Sequence, residues 1–169
     1  MEETATRRRI VEWPDPAEIA KVARGMAGLE FLQSVAQRKV PGPPISHLIG
    51  FRLTEAAHGR IVFTFEPHES HYNPIGSVHG GVVATVLDSA MGCAVHATLP
   101  AGRFYTTLEI KVNYIRPVGT GSGTLRAIGE TIHSGRQTGI AEGRLVDESG
   151  RVYAHGTTTY IVFDLPGGK

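Results

Sequence analysis

One acidic side chain stands alone in the most apolar stretch of the chain. Residues 80–99 consist mainly of Val, Ala, Leu, Met and Gly, and Asp88 is the only acid among them. This composition predicts a helix that is buried on most faces. A carboxylate in such surroundings must be paired, protonated or used, because an unpaired buried charge is strongly unfavourable. Asp88 is therefore the first candidate for chemistry, as a general base or as a nucleophile.

The turn before this helix offers a second chemical group. Asn73-Pro74 indicates a turn, and His79-Gly80-Gly81 places small residues at the first helical positions. Backbone N–H groups in a first helical turn lack partners within the helix, and the helix dipole is positive there. The N–H of Gly80 is thus a candidate donor to an anion or a developing oxyanion, which glycine allows to approach closely.

The combined pattern, N-P-x-G-x-V-H-G-G followed by L-D-x-A, resembles the acyl-CoA thioesterases of the hotdog-fold superfamily, specifically the phenylacetate-degradation (PaaI-like) branch. The resemblance runs from about Pro44 to Phe163. It implies an α+β hotdog fold, in which a curved antiparallel sheet of five to six strands wraps one long buried helix. It also implies hydrolysis of an acyl-CoA to the free acid and CoA, with no cofactor and no metal.

The resemblance assigns roles residue by residue. Asn73 and Gly80 match positions that bind the carbonyl oxygen, His79 matches a position that orients this site, and Asp88 matches the group that activates a water or attacks directly. Asn73 before proline is also a good turn former that needs no chemical role, and His79 alone is typical of a helix cap.

A hydroxyl residue at the start of the strand after the helix assists the acid in the relatives that the chain resembles. Thr107 is the best match, and the adjacent Thr106 is the alternative. Alternation along the strand leaves the choice open, because Thr106 shares its face with Leu108 whereas Thr107 shares its face with Glu109.

Three further residues are candidates for substrate binding. Gly81 lies at the same helix start as Gly80, and Arg116 and Arg136 could meet the phosphates of coenzyme A. For each arginine, solvation at the surface is the competing interpretation.

The spacing of Gly80 and Asp88 has a consequence for assembly. Eight residues of helix separate them by roughly 12 Å along the axis, so both cannot reach one carbonyl from the same helix. We therefore expect Gly80 of one subunit to meet Asp88 of another across a two-fold interface. The resemblance implies the same arrangement, a dimer or a tetramer with active sites between subunits.

Composition narrows the class of protein further. The 169 residues suit one domain with a sizeable core. With 17 basic and 16 acidic side chains the net charge is +1, so charge favours neither nucleic acid nor a membrane as a partner. The single cysteine, Cys93, excludes an intrachain disulfide and favours a reducing compartment. No secretory signal is predicted, and we expect a soluble, cytoplasmic protein.

The order of predicted elements is α+β. Asp15-Pro16-Ala17-Glu18 is typical of a helix start, and it opens a tail and helical extension over residues 1–43. A hotdog domain is expected over residues 44–163 and a C-terminal tail over 164–169. Hairpin-length links predict that the last four strands run antiparallel. The buried helix is predicted over residues 78–99, and the strands over 48–53, 60–65, 107–114, 124–133, 138–146 and 152–163.

Other classes of function compete with the thioesterase hypothesis. A hotdog hydratase or dehydratase would need a histidine-plus-acid motif that this chain lacks, and a non-catalytic module that binds acyl-CoA or aromatic-CoA would have no need of Asp88. The chain has no G-x-S-x-G motif, no metal-ligand spacing and no phosphate-binding P-loop.

Overall fold

The computed structural model describes residues 5–165, so residues 1–4 and the last part of the predicted C-terminal tail, 166–169, lie outside the described residues. The predicted α+β class is confirmed, and the arrangement is a hotdog fold with one helix laid across a curved sheet. The described α-helices are α1 (Pro16–Arg24), α2 (Gly28–Ala36), α3 (Pro44–Ile49) and α4 (Gly80–His96). The strands are β1 (Phe51–Ala57), β2 (Arg60–Phe65), β3 (Arg103–Tyr114), β4 (Leu125–Ser134), β5 (Thr138–Val146) and β6 (Val152–Asp164).

Helix α4 is the predicted buried helix, and it lies directly against the sheet. Val86, Leu87, Ala90 and Met91 expose none of their surface to solvent. A Cβ built on Gly129 of β4 would stand 2.2 Å from the carbonyl oxygen of Ala90, so only glycine permits this approach. Within the described residues, no helix combines the length and apolar character needed to cross a membrane.

The strands follow the order β1-β2-β4-β5-β6-β3, and every neighbouring pair is antiparallel. The predicted direction of the last four strands is therefore confirmed. However, β3 pairs with β6 at the far edge of the sheet and not with β4, which follows it in the chain. The link over residues 115–124 is too long for a tight hairpin, and it carries the chain across the sheet from β3 at the edge to β4.

A β-bulge interrupts β3 where the strand passes α4. The register with β6 shifts between Thr107 and Glu109, which leaves Leu108 without a partner. A bulge reverses the alternation of side chains along a strand. Before the bulge, the odd-numbered Thr107 therefore faces α4. After the bulge, the even-numbered Val112 packs against the core.

The N-terminal extension is helical, as predicted, and hydrogen bonds hold the start of each of its first two helices. Asp15 caps α1, with its side chain accepting a hydrogen bond from the N–H of Ala17 at 2.8 Å. The N–H of Gly28, at the start of α2, donates to the carbonyl of Leu99 at 3.0 Å. A Cβ built on Gly28 would stand 1.8 Å from the carbonyl oxygen of His96, so α2 docks on the end of α4 only because this residue is glycine.

The predicted start of the first strand is wrong. Leu48 and Ile49 close α3, and β1 begins only at Phe51. Pro44 lies in the first turn of α3, where its fixed φ favours a helix, and Gly50 ends the helix in the left-handed conformation with φ +82°. A short apolar run fits a helix as well as a strand, which is why periodicity alone misplaced it.

His96, at the end of α4, makes the fold sensitive to acid. Its side chain packs against the rings of Phe31 and Phe104, and burial lowers its pKa to about 4. The unfolded chain takes up this proton near pH 6.5, whereas the folded chain does so only near pH 4. Because the pKa of His96 is lower in the folded chain than in the unfolded chain, protonation of His96 favours unfolding. The fold therefore has its full stability with respect to His96 above pH 6.5 and loses stability as the pH falls towards 4. We expect His96 to remove roughly 3 kcal/mol from the free energy of unfolding between pH 7 and pH 4.

Urea unfolding of the native protein and of His96→Phe over this pH range measures the effect. The phenylalanine keeps the aromatic packing and cannot be protonated, so the variant should lose this part of the pH dependence. His133→Phe replaces an exposed histidine of β4 and should keep it. An equal pH dependence in the native protein and His96→Phe would contradict the prediction.

Candidate active site

Asp88 lies half-buried in the middle of α4, where two hydroxyl groups hold its carboxylate. Thr107 Oγ1 donates to Oδ1 at 3.0 Å. The Tyr160 hydroxyl lies 3.2 Å from the backbone carbonyl oxygen of Asp88 and 3.4 Å from Oδ1. No hydrogen bond within residues 5–165 uses Oδ2, so this oxygen is available to a ligand in the adjoining cavity.

The environment of Asp88 suits a carboxylate that takes up a proton. Burial raises its pKa, and the hydrogen bonds from Thr107 and Tyr160 act in the opposite direction by stabilising the charged form. A general base works best when its pKa lies closer to neutral pH than that of a free carboxylate. Burial also raises the pKa of Tyr160, which keeps this hydroxyl a neutral donor.

Thr107, and not Thr106, contacts the acid. The sequence predicted a hydroxyl contact from either threonine. In the structure only Thr107 faces α4, whereas Thr106 is exposed on the other side of β3. The bulge at Leu108 explains why alternation did not decide between them, because the inward-facing positions change from odd to even there.

We expect Thr107→Val to move the acidic limb of the pH profile of kcat/KM to higher pH. The hydroxyl lowers the pKa of Asp88, so its removal raises that pKa, and a base with a raised pKa is inactivated by protonation at a higher pH. Thr107→Ser should keep the native limb, and Thr106→Val is the matched control on the exposed face. A limb that moves equally in Thr106→Val and Thr107→Val would refute the assigned contact.

The first turn of α4 leaves one backbone donor without a partner. His79 caps the helix, with its Nδ1 accepting from the N–H of Gly81 at 2.9 Å, and its carbonyl accepts from the N–H of Val82 at 2.9 Å. Among the hydrogen bonds of the described residues, none uses the N–H of Gly80. The candidate oxyanion donor is therefore Gly80, whereas the N–H of Gly81 is already occupied.

Asn73 shapes the loop that leads into α4. Its Oδ1 accepts from the N–H of Ile75 at 3.1 Å and from the N–H of Ser77 at 3.2 Å, and its Nδ2 donates to Ser77 Oγ at 3.1 Å. An amide has two N–H groups, so one remains for a ligand, and carbonyl binding by Asn73 stays a prediction.

Two tyrosines of the site were not singled out from the sequence. Tyr160 reaches Asp88 from β6, and Tyr114, near the end of β3, donates its hydroxyl proton to the carbonyl of Gly80 at 2.9 Å. A Cβ built on Gly80 would stand 3.1 Å from the Tyr114 ring. Alternation places Tyr160 on an inward face, but nothing local shows which residue of α4 it meets.

A cavity of about 920 Å³ opens beside Asp88 and Ser89. Its walls are mostly apolar, and they come from the N-terminal extension as well as from the sheet and α4. Cys93 also faces this cavity, and burial raises the pKa of its thiol to about 12, so the thiol stays protonated at neutral pH. A pocket of this size falls within the range of roughly 300 to 1,000 Å³ that is typical of small-molecule sites.

The two candidate arginines lie near opposite ends of α4. Arg116 donates to the carbonyl of Val152, and residues 115–118 run beside the start of α4, where the N–H of Val78 bonds to the carbonyl of Val118. The carbonyl of Arg136 accepts from Arg103 in the turn near the other end of the helix. Binding of CoA phosphates by Arg116 or Arg136 stays a prediction.

Within the described residues, no three His, Cys, Asp or Glu side chains cluster as metal ligands would. The expectation that the reaction needs no cofactor stays a prediction.

This chain resembles known families and solved structures. Residues 75–154 match the family model described as the thioesterase superfamily. This match agrees with the resemblance to hotdog-fold thioesterases that the sequence predicted. The PaaI protein of E. coli shares the fold, with a TM-score of 0.69 at 20% identity over 78% of this chain and 93% of that one. A thioesterase family protein from Silicibacter pomeroyi has a TM-score of 0.71 at 23% identity over 79% and 99%.

Relatives found by sequence carry related names. A putative esterase of Halobacterium salinarum is 32% identical over 99 residues, which cover 56% of this chain and 64% of the relative. The 1,4-dihydroxy-2-naphthoyl-CoA hydrolase of Listeria monocytogenes is 25% identical over 70% of this chain and 94% of its own length. Human acyl-coenzyme A thioesterase 13 is 30% identical over 69 residues, or 41% of this chain and 49% of the human protein.

Proposed function

We propose that this protein hydrolyses acyl-CoA thioesters to the free acid and CoA. The observation that carries the proposal is the carboxylate of Asp88, which two hydroxyls hold through Oδ1 while Oδ2 is left available beside an apolar cavity. The names of relatives that hydrolyse CoA thioesters support the same reaction.

In the proposed reaction, Oδ2 of Asp88 removes a proton from a water molecule, whose oxygen attacks the thioester carbonyl carbon. The negative charge that develops on the carbonyl oxygen is held by the N–H of Gly80, with Asn73 as a second candidate donor. The C–S bond then breaks, and the CoA thiolate takes up the proton from Asp88. Direct attack by Oδ2, followed by hydrolysis of the resulting anhydride, gives the same products, and both routes require Asp88.

His79 and Gly81 have supporting roles in this proposal. Because the Nδ1 atom of His79 accepts a hydrogen bond from the N–H of Gly81, the neutral imidazole carries its proton on Nε2. The cap fixes the first turn of α4 and occupies the N–H of Gly81, whereas the N–H of Gly80 has no acceptor among the described residues. His79 is thus a positioning residue, and Gly81 provides the anchor for its ring.

We further propose that each site is shared between two subunits. Gly80 and Asp88 are separated by roughly 12 Å along one helix, so a single chain cannot bring both to one carbonyl. The outer edge of β3 has no neighbouring strand among the described residues, and β3 exposes Leu108 and Tyr114, which Ile115 follows as a further exposed apolar residue. An unpaired edge with apolar side chains favours pairing with a second copy of the same strand. Arg116 of the subunit that supplies Gly80 is then a candidate for the CoA phosphates, and a cytoplasmic location stays a prediction.

Mixing two inactive variants tests the shared site. Asp88→Asn lacks the base and Gly80→Pro lacks the oxyanion donor, so a mixed dimer contains one site with both groups intact and one with neither. Random exchange of subunits makes half of the dimers mixed, and about a quarter of native activity should return. Recovery measured as free-thiol release after joint refolding would support the arrangement, and no recovery from well-folded mixed dimers would place both groups in one chain.

The reaction itself is tested by free-thiol release from a panel of aromatic and straight-chain acyl-CoAs. Release that depends on Asp88 would establish the thioesterase. Binding of acyl-CoA without release by the native protein would support the non-catalytic binding module instead.

A further inference from the structure

The cavity beside Asp88 is built largely by a part of the chain that precedes the family-matched residues. Helix α1 contributes Ile19 and Ala23 to its wall, and α2 contributes Phe31, Leu32 and Val35. The family match begins only at residue 75. The extension therefore supplies a wall of the cavity from outside the family-matched residues, whereas the carboxylate of Asp88 lies within them.

The wall is fixed in place against the core. Gly28, at the start of α2, bonds to the carbonyl of Leu99, and its missing side chain lets α2 lie against the end of α4. Phe31 packs on the ring of His96, and Leu32 is only 3% exposed. These contacts make α2 a rigid boundary of the cavity.

The chemistry of the cavity favours an uncharged, apolar occupant. Every residue that α1 and α2 contribute to it is apolar. The charged side chains along its boundary belong to the exposed residues Arg38, Arg52 and Glu66. The only carboxylate on α4 that reaches the cavity is Asp88, so among the described residues a mostly apolar lining connects the proposed base with the extension.

The length of α4 that lines the cavity indicates the size of the occupant. The lining runs from Asp88 to His96, eight residues or roughly 12 Å along the helix axis, and Phe31 of α2 packs against His96 at the far end. An extended chain advances roughly 1.2 Å per bond, so about ten bonds are needed to reach from Asp88 to α2. A short acyl group attached to a thioester at Asp88 would leave the extension untouched, and a longer one would contact it.

We propose that α1, α2 and α3 form the wall that selects acyl-chain length, and that the cavity takes straight-chain acyl groups of about ten carbons or more. The proposal rests on the proposed thioesterase function and names the substrate class of the same site. The thioester carbonyl lies at Asp88, and the alkyl chain extends between α4 and α2 towards Val35. Substrates whose acyl group does not reach α2 gain no binding energy from the extension.

The test compares Val35→Phe, which narrows the cavity from α2, with Leu48→Phe, which enlarges an exposed side chain of α3 outside the cavity. We expect native kcat/KM to rise by roughly three- to fourfold for each added methylene until the cavity is filled. Val35→Phe should lower kcat/KM for dodecanoyl-CoA at least about tenfold more than for butyryl-CoA. Leu48→Phe should keep the native profile, and so should not alter this ratio.

Equilibrium binding of the same acyl-CoAs to Asp88→Asn, alone and combined with Val35→Phe, separates the pocket from the reaction. Affinity should increase with chain length, and the added Val35→Phe should remove the increase. If the native protein releases no thiol but this binding pattern holds, the thioesterase proposal fails and the pocket assignment stands. If thiol release depends on Asp88 but the length profiles of Val35→Phe and Leu48→Phe coincide, the pocket assignment fails and the reaction stands.

If Val35→Phe does not fold, Val35→Ala tests the proposal. Val35→Ala opens the cavity instead, and its preferred chain length should shift to longer acyl groups by one or more methylenes, roughly the volume removed. Urea unfolding confirms that each variant is folded before its profile is measured. A preferred length that is the same in native protein and in Val35→Ala would overturn the assignment.

Discussion

Asp88→Asn is expected to reduce kcat for acyl-CoA hydrolysis by about 10² to 10⁴, the usual contribution of a positioned general base. The amide keeps the shape of the carboxylate and can still bond to Thr107 and Tyr160, which accept or donate through their hydroxyls. It cannot take a proton from water or attack the carbonyl. Substrate binding should change little, so the loss should fall on kcat and not on KM.

The stability of the same variant provides the control. Burial raises the pKa of Asp88, which means that folding disfavours its charged form at neutral pH. Replacing it with a neutral amide should therefore leave the free energy of unfolding unchanged or increase it. A loss of activity together with undiminished stability in urea would identify a functional group, as expected where activity is gained at the expense of stability. Native turnover in Asp88→Asn would rule out the assigned role.

Gly80→Pro is expected to reduce kcat by about 10² to 10³, the usual effect of losing one oxyanion donor. Proline removes the backbone N–H and nothing else from the hydrogen bonding of the first turn, since that N–H has no partner in the described residues. Proline is favoured at the first helical position, and the preceding His79, with ψ 135°, has the extended conformation that proline requires before it.

Gly80→Ala is the matched control for this substitution. Both variants add a Cβ that would stand 3.1 Å from the Tyr114 ring, so both push this partly exposed side chain aside to a similar degree. Only alanine retains the N–H. Activity should be much higher in Gly80→Ala than in Gly80→Pro, and kcat/KM for one acyl-CoA measures the difference. Equal losses in the two variants would show that the Tyr114 contact matters and the N–H does not.

Much of the fold could be predicted from local patterns. The cap at Asp15 and the apolar composition of α4 act over a few residues, and each is where it was expected. The first strand was misplaced because Leu48-Ile49 is too short for its periodicity to distinguish helix from strand.

The site was predicted only in part for a different reason. Asp88 and Gly80 could be identified because both lie in one continuous segment, where an isolated acid and a helix start are visible in the sequence. Tyr160 is distant in the chain, and its contact with Asp88 depends on how β6 lies across α4. The contribution of α2 to the cavity depends in the same way on the docking of Gly28 against the end of α4.

The sequence by itself determined the buried helix and its lone acid and predicted the free donor at its start, because these features lie in one short stretch of chain. From the same helix geometry it also predicted a site shared between two subunits, which stays a prediction. Only the tertiary structure decided that Thr107 contacts Asp88, since the bulge at Leu108 sets which side of β3 faces the helix. It also decided that the N-terminal extension encloses the cavity. Pairing and docking between distant segments are set by packing across the whole core, and no local pattern encodes them.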